Sequence, residues 1–382
     1  MATNLIAQMI IKNKILVNLE FKLKKTLEYD DFSAKLISWY IINKRDLPWR
    51  YSSNPYFIWV SEVILQQTKI IQGLPYYINF IRKFPDIKSL ALASEKEVLR
   101  TWQGLGYYTR ARNLHKCAKM IHFEMSGKFP KNFNNLLNLP GVGKYTAAAI
   151  ASIAFGEPVP VVDGNVTRIL ARYFGIYEDI ALNQTITKFS TLAAELMGDS
   201  DPGIFNQALM EFGALICTPK IPACEGCIFS GSCHANQENS QSILPVKTKR
   251  VTVRNRYFYY LVITNGNKVI MNQRQDNDIW KHLYDFPMLE SSIDLRPEDV
   301  VLVKAPEIYK NKKANLVFES EKYKHVLTHQ RIIARFDQYQ VSKKIIMDIA
   351  SNNKNYSCFE LKEVLDLPKP RLIDKYLTDI NT

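Results

Sequence analysis

At 382 residues and 47% hydrophobic content, the chain is long enough for two globular domains, each with its own core. Its formal net charge of +13 points to a polyanionic partner and is spread along the chain: +2 over residues 1–30, +5 over 31–236 and +6 over 237–382. No run of about 18 uncharged apolar residues exists, so no membrane span is expected. Six cysteines, four of them clustered, do not make a secreted disulfide framework, and a reducing compartment is expected.

The first thirty residues alternate apolar pieces with Lys12, Lys14, Lys22, Lys24 and Lys25. They lack a signal peptide's unbroken apolar core and small-residue cleavage site, and are expected to form an extra helix or an extension. From Phe32 the spacing Phe-x-x-x-Leu-Ile-x-Trp-Tyr predicts an amphipathic helix ended by Asn43-Lys-Arg-Asp. After Leu47-Pro-Trp-Arg50 and a polar loop, Pro55 suits the first turn of a helix predicted to run to about Gln72. On it sits Glu62, with Ile58, Trp59, Leu65 and Gln66 three and four residues away. That mostly apolar face should raise its pKa, as general-acid work requires; a glutamate that only answers the helix dipole is the plainer alternative.

Residues 85–125 predict two or three short helices around Thr101-Trp-Gln-Gly-Leu-Gly-Tyr107-Tyr108, with Arg110, Arg112 and His115 following. Glycines flanking aromatics, with arginines one turn on, suit a loop that wedges into stacked bases and anchors to phosphate. Aromatics covering a helix junction would look similar.

The stretch from Leu139 to Arg168 organises the rest. Pro140-Gly141-Val142-Gly143 is a tight turn opening into a helix at Thr146-Ala-Ala-Ala-Ile. Its glycines let the backbone come close to another molecule, and the free N–H groups of the helix start suit a phosphate. Taken alone, Gly-Val-Gly is more simply an ordinary helix–helix turn; joined to Val-Asp-Gly-Asn at this distance, it favours the phosphate grip. The helix should stop near Gly156, with Pro158 and Pro160 forcing an extended segment. That segment delivers Asp163 to the start of a helix from Asn165 to about Phe174, where the dipole and backbone N–H groups should hold the carboxylate ionised.

Residues 185–216 predict two more helices, so the domain over 31–236 is expected to be all-α. Its end carries Cys217, Cys224, Cys227 and Cys233 in the pattern C-x6-C-x2-C-x5-C. Four thiols so spaced bind zinc or an iron–sulfur cluster, and bare spacing leaves both open. Cys117 and Cys358 stand alone and are expected to be packing residues. Residues 237–256 read as a basic linker, with Lys247, Lys249, Arg250, Arg254 and Arg256, expected to lie along a polyanion. From Tyr257 the period becomes that of strands. Tyr-Phe-Tyr-Tyr-Leu-Val-Ile-Thr, the turn Asn265-Gly266-Asn267, and Lys-Val-Ile-Met predict a hairpin that opens a mixed α/β domain over 257–382.

The pair Leu-Pro-Gly-Val-Gly-Lys-Tyr-Thr-Ala and Val-Asp-Gly-Asn-Val resembles the helix-hairpin-helix DNA glycosylase superfamily. Ser61-Glu62-Val-Ile-Leu65-Gln66-Gln67-Thr68 and the cysteine spacing narrow the resemblance to adenine DNA glycosylases of the MutY type. It implies an all-α helix-hairpin-helix domain with a [4Fe–4S] loop over 217–233, then an α+β Nudix-like lesion-recognition domain. It implies that Glu62 protonates the base, that Asp163 stabilises the developing cation, and that Tyr145 and Asn165 position these groups and the water. Contacts to DNA are implied for Arg50, Leu65, Gln67, Tyr107, Gly141, Gly143, Leu327, Thr328 and His329, with Gln67 and Tyr107 inserted into the stack. The expected partner is duplex DNA holding an adenine mispair, and the expected state is a cytoplasmic, nucleoid-associated monomer.

The resemblance departs in three places. These are the N-terminal extension, a linker without cysteines, and Leu327-Thr328-His329 where the family commonly has Phe-Ser-His. No Arg-Glu-x-x-Glu-Glu helix of a Nudix hydrolase is found, so the C-terminal domain is expected to read and not to cleave. Three functions are weighed. A monofunctional glycosylase fits Glu62 and Asp163. A bifunctional glycosylase/lyase needs an amine where Tyr145 stands, with Lys144 turned about 100° away. A DNA-binding protein without catalysis leaves both carboxylates unexplained.

Overall fold

The computed structural model describes residues 29–248, 252–275, 278–295 and 314–380. The expectations for residues 1–28, Lys249 and Arg250 lie outside them. Residues 29–248 are helical, with no strand among those described: α1 (29–43), α2 (Pro55–Leu65), α3 (Ile70–Lys83), α4 (Ile87–Leu92), α5 (Glu95–Thr101), α6 (Thr109–Glu124), α7 (Phe133–Leu136), α8 (Lys144–Phe155), α9 (Gly164–Phe174), α10 (Asn183–Met197), α11 (Pro202–Leu215) and α12 (His234–Gln237). No helix among the described residues is long and apolar enough to cross a membrane.

Local chemistry sets most of the boundaries. Asn54 caps α2 by accepting the Tyr56 N–H at 2.9 Å, and Pro55 fills its first turn. α8 stops at Gly156 and α9 at Gly175, both in the left-handed region. The single helix expected from Pro55 to Gln72 is two helices. α2 ends at Leu65, Gln67 takes φ +56°, and α3 resumes at Ile70. No glycine or proline marks this break, so local pattern could not reveal it. A non-glycine residue held left-handed costs roughly 1–2 kcal/mol, which the packing of its neighbours must offset.

By packing, the chain forms two units: Met1–Gln66 with Lys128–Lys249, and Gln67–Gly127 with Arg250–Thr382. In the first, α9 packs against α10, α11 and α12, while α8 packs against α2 and α11. Ala147, Ala149 and Ala151 are fully buried, and their small side chains let α2 and α11 close on α8. The core gathers Phe32, Leu36, Leu170, Phe189, Phe205 and Phe212, with Phe32 and Phe229 stacked at 4.5 Å. Each fully buried phenylalanine contributes about 1.5–3 kcal/mol.

In the second unit, α4 and α5 pack on α6. The sheet holds β1 (Arg254–Asn265), β2 (Lys268–Gln273), β3 (Tyr284–Asp285), β4 (Met288–Ser291), β5 (Asn315–Glu319), β6 (Tyr323–Val326), β7 (Gln330–Gln340) and β8 (Tyr356–Glu360). Its order is β3-β2-β1-β7-β5, with β4 on β1, β6 on β7 and β8 on β2. β1 and β7 run parallel and the other pairs antiparallel. The expected hairpin joins β1 to β2, with Gly266 at φ +58°. Helices α13 (Lys343–Asn352), α14 (Leu361–Val364) and α15 (Arg371–Asp379) complete the unit. The rings of Tyr260, Phe336 and Tyr376 stack at 4.8 and 4.1 Å.

One expectation is overturned here. Arg254 and Arg256 open β1 instead of belonging to a linker, and Arg256 is only 5% exposed. Its guanidinium pairs with Asp278 and Glu290, each at 2.6 Å. A buried arginine stays charged only with such partners, so it is not free to meet a polyanion.

Candidate active site

Glu62 sits in the last turn of α2 and is 8% exposed. Its carboxylate accepts the Tyr145 hydroxyl at 2.6 Å, from the first turn of α8. Burial pushes the Glu62 pKa up from 4.5 to about 7. The Tyr145 hydrogen bond opposes this, the charge of Asp163 adds to it, and Arg50 opposes it again. The turn it occupies is the negative end of the helix dipole, which also disfavours an anion. The first-turn dipole partner considered from sequence therefore does not apply.

Asp163 is the N-cap of α9. Its Oδ1 accepts the backbone N–H groups of Asn165 and Val166, both at 2.8 Å, and its Oδ2 accepts Asn165 Nδ2 at 2.8 Å. These bonds favour the charged form, as expected from sequence. Burial nevertheless outweighs them and raises the pKa instead of lowering it. Asn165 Oδ1 accepts Arg168 Nη2 at 2.9 Å, and Arg168 Nε donates to the Cys217 carbonyl at 2.7 Å. α11 approaches closely here because of Gly213, where a Cβ would stand 2.7 Å from the Asn165 Cβ. The pattern of α11 offered one signal for this, a glycine inside a helix, which marks close packing. Arg168 and Glu211 gave none.

Arg50, expected at DNA, turns inward. With Arg45 it clasps Glu211, which is 2% exposed, each arginine making a 2.5 Å contact to Oε2. Burial pushes the Glu211 pKa up, but the arginine hydrogen bonds prevail and bring it to about 2. Leu65 is half-buried at the end of α2, three residues beyond Glu62. Gly141 and Gly143 are exposed in the turn before α8, with Gly141 at φ +75°. α8 has no side-chain cap, and a Cβ at Gly143 would meet nothing within 4 Å. The turn thus presents bare backbone.

The second unit holds the other expected contacts. Gln67 is exposed at φ +56°, and Tyr107 is 42% exposed at φ +49°. Leu327, Thr328 and His329 form the turn between β6 and β7, closed by Leu327 N–H to the Gln330 carbonyl at 2.8 Å. Thr328 and His329 are exposed and Leu327 is half-buried. The Tyr107 hydroxyl and Thr328 Oγ1 share a hydrogen bond of 2.5 Å. Nothing in the sequence linked these two residues.

The four clustered cysteines are unpaired and line one apolar cavity of ≈ 30 Å³ with Ile169, Phe212 and Arg172. The Phe229 N–H points at Cys227 Sγ and Arg172 Nη1 at Cys217 Sγ, both at 3.4 Å. Such donors suit sulfurs carrying negative charge. Among the described residues, no group of three or more Cys, His, Asp or Glu side chains is arranged to hold a metal ion.

Taken together, the fold and site define a helix-hairpin-helix base excision enzyme joined to a Nudix-like domain. The HhH-GPD superfamily base excision DNA repair protein family matches residues 60–194, and the NUDIX domain family matches residues 259–379. An adenine DNA glycosylase of Buchnera aphidicola subsp. Schizaphis graminum is 33% identical over 351 residues, covering 91% of this chain and 97% of that one. The Homo sapiens adenine DNA glycosylase is 43% identical over 226 residues, covering 57% and 41%. The solved structure of a thermostable thymine-DNA glycosylase aligns at TM-score 0.51 and 30% identity, over 56% of this chain and 99% of that one. The chain belongs to the adenine DNA glycosylase family.

Proposed function

We propose that the protein is a monofunctional glycosylase that removes adenine mispaired with 8-oxoguanine or guanine in duplex DNA. One observation carries this reading: a buried glutamic acid with a pKa raised to about 7, held by Tyr145 beside a second carboxylate. Adenine lies inside the duplex stack and must be flipped out before chemistry. Glu62 then gives its proton to N7 of the base, and the bond between C1′ and N9 breaks with its electron pair leaving on adenine. Asp163 stabilises the cation left on the sugar, or bonds to it transiently, and water adds at C1′, giving up its proton to the Glu62 carboxylate that the first step left behind. Tyr145 orients Glu62; Asn165 orients Asp163 and the water. Tyr145 stands where a lyase of this superfamily would need an amine, and exposed Lys144 lies one step, about 100°, round the helix.

Gly141, Gly143 and the start of α8 grip a phosphate. Leu65 contacts the DNA, Gln67 and Tyr107 press into the stack, and Leu327, Thr328 and His329 read the lesion. The protein acts as a cytoplasmic monomer. A single-turnover assay on duplexes with adenine opposite guanine, 8-oxoguanine and cytosine tests this reading. Excision confined to the first two is the expected result, and strand cleavage coupled to excision would support a lyase instead.

Cys217, Cys224, Cys227 and Cys233 hold a [4Fe–4S] cluster. One zinc ion would draw four sulfurs to about 2.3 Å from a single point. The sequence spacing C-x6-C-x2-C-x5-C, which resembles the cluster loop of this superfamily, favours the cluster over zinc. When bound, the cluster staples the loop and adds a fixed charge. Cys224→Ser is expected to remove the protein's broad visible absorption and weaken duplex binding. Stoichiometric zinc without iron in the purified protein would count against the cluster.

Thr328→Ala tests the reader. The hydroxyl lost is the one tied to Tyr107. A hydrogen bond of this kind contributes about 0.5–1.5 kcal/mol, and more where its loss leaves a buried partner unpaired, so the preference for 8-oxoguanine over guanine should fall roughly three- to thirtyfold. Binding and single-turnover excision on both mispairs measure it. Equal behaviour of variant and parent would place lesion reading elsewhere in the domain.

A further inference from the structure

Tyr107 is a non-glycine residue at φ +49°, and two of the three residues before it, Gly104 at +96° and Gly106 at +74°, are also left-handed. A backbone of this kind persists only where its surroundings over-determine it. Two sets of contacts do so. On one side, Trp102 Nε1 and Arg110 Nη2 both donate to the Gly106 carbonyl, at 3.2 and 3.3 Å. The Arg110 guanidinium also lies over the Trp102 and Tyr107 rings, at 5.3 and 5.6 Å.

On the other side, the Tyr108 hydroxyl accepts the Gly104 N–H at 3.2 Å and donates to the Lys369 carbonyl at 3.4 Å. Lys369 N–H donates to Gln103 Oε1 at 3.3 Å. The acceptor is itself fixed: Lys369 is 1% exposed and its ammonium donates to the carbonyls of Val364, Leu365 and Leu367. The Pro368 carbonyl accepts the Tyr284 N–H at 2.8 Å, which ties the segment to β3.

We propose that Tyr108 is a positioning residue for lesion reading: its hydroxyl, with the Gln103 amide, pins the loop of residues 102–108 to the segment 368–370 and so presets Tyr107 against Thr328. The side chain next to the wedge therefore acts through the wedge and touches no DNA. The wedge is ready before DNA arrives, so the energy of binding is not spent on ordering it. The proposal rests on the reading of Tyr107 as the residue inserted beside the lesion.

The test uses the full-length protein and duplexes carrying 2-aminopurine beside 8-oxoguanine, whose fluorescence rises as the stack opens. Tyr107→Ala, the reference, should abolish the rise. Tyr108→Phe removes one hydroxyl, so it should reduce the rise and weaken binding to the 8-oxoguanine duplex roughly three- to tenfold. Affinity for an undamaged duplex should stay within about twofold of the parent. Gln103→Ala should act in the same direction, and decides the matter if Tyr108→Phe does not fold. A parent-like signal from Tyr108→Phe and Gln103→Ala, with Tyr107→Ala silent, overturns the pin and leaves the wedge intact. A parent-like signal from Tyr107→Ala overturns the wedge reading itself, and the pin with it. Equal loss of affinity for every duplex, together with a lower melting temperature, assigns Tyr108 to the fold alone and overturns the proposal.

Discussion

Replacement of Glu62 by Gln is expected to slow base excision at least about a hundredfold, the usual contribution of a general acid, while duplex binding survives. The amide keeps the size of the side chain and can still accept the Tyr145 hydroxyl, so the proton alone is lost. The same change should stabilise the protein. Glu62 binds its proton more tightly in the folded chain than in the unfolded one, so folding stability falls as pH rises from about 4.5 to 7 and then levels. At pH 8 the ionised, buried carboxylate costs the fold on the order of 3 kcal/mol, an upper figure for what the variant regains. A melting temperature higher than the parent's at pH 8, with the gap closing at pH 5, is the expected signature. Excision within a few-fold of the parent would discard Glu62 as the acid.

Asp163→Asn is the second large effect, and it separates chemistry from architecture. Asparagine caps helices about as well as aspartate. Oδ1 could still accept the N–H groups of Asn165 and Val166, so α9 should keep its start. What disappears is the negative charge, together with the bond from Asn165 Nδ2, which an amide nitrogen in place of Oδ2 cannot accept. Removing one preorganised electrostatic group from an active site costs about 10²–10³ in rate, and that is the loss expected in single-turnover excision. Near-parent excision together with an unchanged melting temperature would reduce Asp163 to a helix cap.

The sequence made much of this legible because local chemistry writes it. Pro55, Gly156, Pro158 and Pro160 punctuate the helices, and Asn265-Gly266 announces the hairpin, each through its own backbone restriction. Glu62 was also readable, because its apolar neighbours at helical spacing foretold burial. Charge partners were not. Arg50 lies 161 residues from Glu211, and no local pattern reports such a pairing. Arg256 looked like linker charge until Asp278 and Glu290 were folded round it. The pKa direction of Asp163 failed for a related reason: capping is local and visible, whereas burial is the sum of everything packed nearby. The break at Gln67 has no glycine or proline to mark it, so only tertiary structure could expose it.

The inward arginines change what the net charge means for movement along a genome. Arg45, Arg50, Arg168, Arg172, Arg256 and Arg274 give hydrogen bonds to groups of the protein itself. Exposed positive charge on the first unit is largely lysine, at Lys44, Lys128, Lys131, Lys144, Lys188 and Lys220. Lysine meets phosphate as a mobile, well-hydrated point charge, without the two-pronged geometry that locks arginine in place. Contacts of that sort release counterions and hold the protein near DNA, but they let go easily and weaken steeply with salt. On this unit a loose electrostatic hold by lysine suits a protein that must pass many sound base pairs for each damaged one, while Arg45, Arg50 and Arg168 are committed to groups around the site.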